Sequence, residues 1–297
     1  MESIYHIYDK IFKKILTLSS TAVTGLINGL FDTDHPPDST ITYNWTEFHS
    51  ENLRRILADT IITINGIYSY HMEAQITEND EIIFRVFDYS YHHARLHATN
   101  DCVGCQLTFP EPKIIYLCST GHSPDVYTLH LNFGSQGSFT YRVTTFKFLE
   151  TSLDDLNRKK MVILIPFQLL RLRDKLSKKR SKENLEELKS LIQNDIIGSI
   201  EENLALGNIT QEDAIRLRRL THRLYNHIYS HYEEMEDINM LTDQSLMLDI
   251  DYIEERHEKE LKEKDDIISQ KDAEILEKIS EIASLKAQLA ALQTDKF

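Results

Sequence analysis

Asp59-Thr-Ile-Ile-Thr-Ile-Asn-Gly-Ile-Tyr-Ser-Tyr-His-Met-Glu-Ala-Gln75 is the stretch on which the fold class turns. Residues 60–64 and 68–77 are rich in β-branched and aromatic side chains, which suit a pleated sheet. Asn65-Gly66 lies between them and is the dipeptide best able to reverse a chain between two strands. A hairpin is therefore expected. Strand side chains alternate between faces, so Glu73 and Gln75 share one face while Met72, Ala74 and Ile76 share the other, apolar one. The loop length sets the register. A two-residue turn pairs 64 with 67 and 59 with 72, turning Asp59 away from Glu73. A three-residue loop over 65–67 pairs 59 with 73 and brings two carboxylates to one face.

Working outward, 41–48 is an extended candidate and Ser50 can cap a brief helix through Leu57. Residues 80–98 are expected to be helical, with Asp80 and Glu81 in the first turn favouring its positive end. Pro110 and Pro112 lead into 113–118, an apolar run suited to a buried strand. A second hairpin follows, 126–133 and 138–148 around Gly134-Ser-Gln-Gly137. Upstream, Ile4, Tyr8, Ile11, Ile15, Leu18 and Ala22 recur at spacings of four and three, which predicts one amphipathic helix over 4–30. From Ser152 onward the chain reads as mostly helical, with 161–165 as one possible further strand. The expected fold class is α/β, a mixed central sheet flanked by helices.

The 297 residues are 41% hydrophobic and 27% charged, with nine Gly and six Pro, which excludes a fibrous or largely disordered chain. Three Cys give no disulfide framework, so a reducing, cytoplasmic setting is expected. Residues 15–31 are uncharged but diluted by Thr, Ser, Gly and Asn, unlike the compact apolar block of a signal peptide. No run of eighteen apolar residues exists, so no membrane partner is expected. Net charge is −14, yet 233–297 carry 19 acidic and 8 basic residues, leaving the front of the chain near neutral. Basic runs at 158–160, 171–182 and 216–223 keep nucleic acid open as a partner; the plainer reading of such runs is solvated helix faces.

Two carboxylates converging on a strand pair suit Mg²⁺, a hard cation that takes a few oxygen ligands. By spacing alone the plainer reading of Asp59, Glu73 and Gln75 is exposed polar residues of an antiparallel sheet. Taken together, however, Asp9-Lys-Ile-Phe-Lys13, Glu47, Ala58-Asp-Thr-Ile-Ile62, Met72-Glu-Ala-Gln75 and Arg85-Val-Phe-Asp-Tyr89 resemble the PD-(D/E)XK nuclease family transposases, close to the recombination-promoting nucleases. The resemblance covers residues 5–120 by motif and, less distinctly, runs to about 235. It implies a restriction-endonuclease-like core, dependence on Mg²⁺ or another divalent cation, and cleavage of DNA. Asp59 and Glu73 are then the expected metal ligands, Glu47 the upstream acid of some members, and Arg85 a contact to the site or a phosphate. Gln75 stands where the wider superfamily has lysine, a substitution common in this branch. Glutamine offers only neutral hydrogen bonds, so the metal and Arg85 must supply the positive charge.

Cys102-x2-Cys105-x12-Cys118-x3-His122 has zinc-like spacing. Geometry argues against it: Cys118 falls five residues along the 113–118 strand, roughly 16 Å from its start, too far to share one ion with the loop cysteines. His227 and His231, four apart, could share a helix face but lack a third ligand. No serine-hydrolase elbow, Walker loop or dinucleotide fingerprint occurs.

In the tail, Leu261, Ile268, Ile275, Ile282 and Leu289 recur every seven residues. The second seam holds Leu285 and Leu292 but begins with Lys264, Lys271 and Lys278. A homo-oligomeric coiled coil is expected, with a single solvated helix as the alternative. The organisation is thus a nuclease-like core over 1–150, a mainly helical extension packed on it over 151–250, and a coiled-coil tail over 251–297. The function expected is a DNA endonuclease linked to transposition, recombination or mobile-element biology. A catalytically inactive scaffold acting through the coiled coil is the rival.

Overall fold

The computed structural model describes residues 5–49, 55–77, 79, 81–100, 104–118, 123–246 and 271. The chain divides into two compact units, Met1–Leu246 and Met247–Phe297. The heptads of the tail lie outside the described residues, Lys271 apart.

The first unit begins with two helices where the apolar spacing predicts one: α1 (Tyr5–Ile15) and α2 (Ser20–Phe31). The break has a local cause. The Ser19 side chain accepts from Ala22 N at 3.3 Å, capping α2, and its backbone is extended at φ −57°, ψ 156°. Ser19 in turn donates to the buried Asp213 carboxylate from both its hydroxyl, at 2.5 Å, and its backbone N–H, at 2.8 Å. The spacing of four and three survives the break because both helices bury their apolar sides in one core.

Then come β1 (Ile41–His49), β2 (Arg55–Ile64), β3 (Tyr68–Gln75), α3 (Ile82–Leu96), a small ladder of β4 (Thr99–Asn100) and β5 (Cys105–Gln106), β6 (Glu111–Tyr116), β7 (Val126–Asn132) and β8 (Ser138–Lys147). Residues 55–57, expected to end a capped helix, instead open β2: they pair with Glu47, Phe48 and His49 of β1, and pairing overrides the local capping signal. The main sheet has the order β1-β2-β3-β6-β8-β7. β1, β2 and β3 form an antiparallel meander, β6 is parallel to both β3 and β8, and β7 returns antiparallel on β8. It is a mixed α/β sheet flanked by helices.

The remaining helices are α4 (Leu153–Arg158), α5 (Leu170–Lys178), α6 (Lys182–Ser190), α7 (Gly198–Ala205), α8 (Gln211–Ile228) and α9 (Glu236–Leu246). Residues 161–165 are not a strand. Val162–Leu169 is a 3₁₀ helix buried along its whole length. An unbroken apolar run of that length fits either element, and burial on all sides explains why no periodicity marks it. It packs close to α2, where Gly25 and Gly29 leave room for the Lys159 and Lys160 carbonyls.

One face of the sheet carries the large core, in which Tyr70, Met72 and Ile115 meet α1, α2 and the later helices. The other face is covered by α3, with Ile82, Ile83 and Val86 packed on Ile114, Tyr116, Tyr141 and Val143. Among the described residues no helix is long and apolar enough to cross a membrane.

Candidate functional site

The hairpin has the three-residue loop. Ile64 pairs with Tyr68, and the ladder runs without slip to Thr60 opposite Met72. Asn65 and Gly66 both take positive φ, 53° and 68°, and Ile67 N donates to Ile64 O at 3.0 Å. The Asn65 side chain also accepts from Thr40 N at 2.9 Å, tying the loop to the start of β1. Position 59 is therefore next in line opposite Glu73. On its other side, Trp45 pairs with Thr60 and Glu47 with Leu57, so Ala58 and Asp59 stand against Thr46 alone. That two-against-one arrangement is a β-bulge, a device that re-aims a strand locally. The side chains of Asp59 and Glu47 lie outside the described residues.

β3 is an interior strand, and its alternation is as the hairpin reading requires. Met72 is buried in the large core, whereas His71, Glu73 and Gln75 belong to the face that α3 covers. Glu73 is only 3% exposed. Its Oε1 accepts from both Gln75 Nε2 and Arg85 Nη2, the latter reaching down from the first turn of α3. Its Oε2 is buried and has no hydrogen-bond partner among the described residues, and Arg85 Nε is in the same position. A buried carboxylate oxygen without a donor costs free energy unless something positive meets it. Thus three of the expected residues, Glu73, Gln75 and Arg85, are brought together.

The alternation extends one step further than the sequence reading took it. His71 shares parity with Glu73, is fully buried, and meets Ser90 Oγ through Nδ1 at 2.9 Å. Tyr141 of β8 donates to the same Ser90 oxygen at 3.3 Å, and burial pushes its phenol up to about 12. Period two could have found His71. Ser90 and Tyr141 come from a helix and from a strand two places across the sheet, and no local signal marks them. Nearby on α3, His93 is 4% exposed and stacks on His97 at 4.4 Å. Burial foremost, with His97 and His71 beside it, lowers its pKa to about 4.

Among the described residues no group of three or more His, Cys, Asp or Glu side chains is placed to hold a metal ion. Of the zinc-like set, Cys102 and His122 lie outside the described residues, Cys105 is exposed, and Cys118 is buried. Burial raises the Cys118 pKa, and Arg173 Nη1 lies 3.5 Å from its sulfur. His227 and His231 do not share a helix face, because α8 ends at Ile228; His231 stacks on Tyr232 instead. The basic runs are partly engaged: Lys159 with Asp32, Lys175 with Glu187, Arg180 with Glu234 and Arg218 with Glu201.

Comparison with known proteins finds no match for this chain among family models, curated proteins or solved structures.

Proposed function

We propose that this chain is a metal-dependent DNA endonuclease of the PD-(D/E)XK type, with Asp59 and Glu73 holding a divalent cation such as Mg²⁺. The observation that carries the reading is the Glu73 carboxylate, buried, fixed through one oxygen by Gln75 and Arg85, and unpartnered at the other. An oxygen of that kind fits a hard cation, which prefers carboxylate ligands. The loop register supports the pairing, since it brings position 59 next in line to Glu73.

When bound, the ion activates water and neutralises charge developing on a phosphodiester. Arg85 holds Glu73 in one rotamer and brings a permanent positive charge close to where a phosphate must lie. Gln75 spends its amide N–H on Glu73, so it orients the carboxylate and takes no proton. Glu47, on the strand that carries the bulge, is the upstream acid. In this reading the mixed sheet and its helices are a restriction-endonuclease-like core and the substrate is DNA. The tail is a coiled coil that joins copies of the chain in the cytoplasm, and the biological setting is transposition or recombination.

A second reading has one observation in its favour. Arg85 already compensates Glu73, as it would in a structural ion pair of an inactive scaffold acting through its tail. Supercoiled-plasmid nicking with and without Mg²⁺ separates the two. Cleavage is expected with the ion, lost in Asp59→Ala and Glu73→Ala, and kept or raised in Gln75→Lys, with circular dichroism as the folding control. Cleavage that persists in both alanine variants refutes the site; a wild-type chain that fails to cut with any divalent ion leaves the scaffold.

A further inference from the structure

On the α3 side of the sheet, away from Glu73, lies a ring-lined cavity of about 1060 Å³. Its floor is Phe87, Phe109 and Tyr141, whose centroids are 5.2 to 6.1 Å apart. At its mouth Phe133 and Phe139 are 59% and 61% exposed. Large rings left in water are costly, and a soluble chain rarely gathers them without an occupant. The polar groups of the rim are few, chiefly exposed Arg142 and Glu111.

We propose that this cavity receives an unstacked base of single-stranded DNA and is the strand-binding subsite of the Glu73 site; the choice of DNA rests on the endonuclease reading above. Flat rings stack on any nucleobase, and the Glu111 carboxylate can accept from an exocyclic amine. Position links the cavity to the site. Arg85, which meets Glu73, and Phe87 and Tyr91, which line the cavity, all belong to α3. The hydrogen-bonded run from Tyr141 through Ser90 to His71 ends two residues from Glu73 on the same strand.

A polymer is favoured over a small ligand by a second concavity, of about 570 Å³, that shares the Phe109 wall. It holds Tyr68, 52% exposed, and Lys113, whose Nζ donates to Leu30 O and lies 5.0 Å from the Phe31 ring centroid. The two hollows lie on opposite faces of the sheet and meet at Thr108, Phe109 and Glu111, so a strand crossing that end of the sheet passes rings in both. A paired base is already stacked and must first be flipped out, so single strand is expected to bind ahead of duplex.

The test is fluorescence anisotropy of a labelled oligothymidylate with the full chain in EDTA, so that binding is read without cleavage. Phe139→Ala and Phe133→Ala remove exposed rings and leave the cores intact. Each is expected to weaken binding by about 5- to 100-fold, one stacked base's worth. Phe84→Ala, an equally exposed ring of α3 that does not line the cavity, is the control and is expected to bind as wild type. An abasic strand of equal length is expected to bind like the Phe139→Ala protein binds thymidylate. Unchanged affinity in both phenylalanine variants, or equal binding of the abasic strand, overturns the proposal. So does a change of oligomeric mass in Phe139→Ala with DNA binding intact, since the cavity is then a protein interface. Ring-dependent binding by a chain that never nicks plasmid keeps the subsite and rejects the endonuclease; nicking without ring-dependent binding does the reverse.

Discussion

Arg85→Met is expected to cost more stability than Glu73→Gln, although the two residues make one ion pair. The reason is unequal burial: the Glu73 side chain is 4% exposed and the Arg85 side chain 30%. Breaking a buried pair from one side costs about 3–5 kcal/mol, because the remaining charge is left without a partner. Removing Arg85 strands the more buried charge. Gln75 still donates to Glu73, and the carboxyl can take a proton, which together bring the expected loss to about 2–3 kcal/mol. Glu73→Gln leaves a guanidinium that can turn toward water and still donate to the new amide oxygen, a loss of about 1 kcal/mol. In the double variant no charge remains, so its loss is expected to fall short of the sum by about 1–2 kcal/mol. Urea unfolding in EDTA at neutral pH measures all four proteins. Repulsion from Asp59 alone would have made loss of the Glu73 charge neutral or favourable, but Arg85 on Glu73 reverses that sign. Adding Mg²⁺ is expected to restore Arg85→Met more than wild type, because the ion replaces the missing positive charge; at a hundred times its Kd it contributes about 2.7 kcal/mol. Arg85→Met no more costly than Glu73→Gln, or a double variant that is strictly additive, refutes the argument.

Three further outcomes are expected. His93 is lowered to about 4 from 6.5, so above pH 6.5 it is neutral in both states. Below that only the unfolded chain takes the proton, and stability falls between pH 6.5 and about 4 by up to about 2–3 kcal/mol; the loss should be smaller in His93→Gln when urea midpoints are followed with pH. Gly29→Ala puts a methyl 2.8 Å from Lys159 O and against Met161, and Gly25→Ala puts one 2.7 Å from Lys160 O. Each is expected to lose about 1–3 kcal/mol, whereas Gly198→Ala, whose nearest neighbour is 3.9 Å away, should gain about 0.5–1 kcal/mol in the same melts. Removing residues from Tyr252 onward is expected to lower the mass in light scattering while leaving the circular dichroism of the core unchanged, and an unchanged mass favours the single solvated helix.

The elements of the sheet were legible because their signals are local. Alternation of β-branched and aromatic residues and the Asn65-Gly66 reversal mark β2 and β3, the apolar run at 113–118 marks β6 two residues late because Glu111 and Pro112 already pair with β3, and 126–133 with 138–148 mark β7 and β8 within a residue. Period two alone put Glu73 and Gln75 on one face, because the pleat allows nothing else. Local signals failed where a distant group intervened. Ser19 breaks the first helix because Asp213, 194 residues away, takes its hydrogen bonds. Residues 55–57 extend because β1 pairs with them, and Val162–Leu169 winds because it is enclosed on every side.

The site divides along the same line. Period two put Glu73 and Gln75 on one face, and only the family resemblance singled them out with Asp59 and Arg85 as a site; the sequence still allowed two registers, and one residue of slip flips a strand. The three-residue loop is tied by Asn65 to Thr40, a contact between the turn and the segment just before β1. That Arg85 lands on Glu73, and that Ser90 and Tyr141 join His71, follows from how α3 lies across the sheet, which only packing decides. The aromatic cavity is the extreme case. Its rings come from α3, the segment before β6, and the β7–β8 hairpin, and each is an ordinary phenylalanine or tyrosine in its own stretch. Chemistry held by neighbours in sequence can be read from spacing; chemistry assembled from three separate elements exists only once the chain has folded.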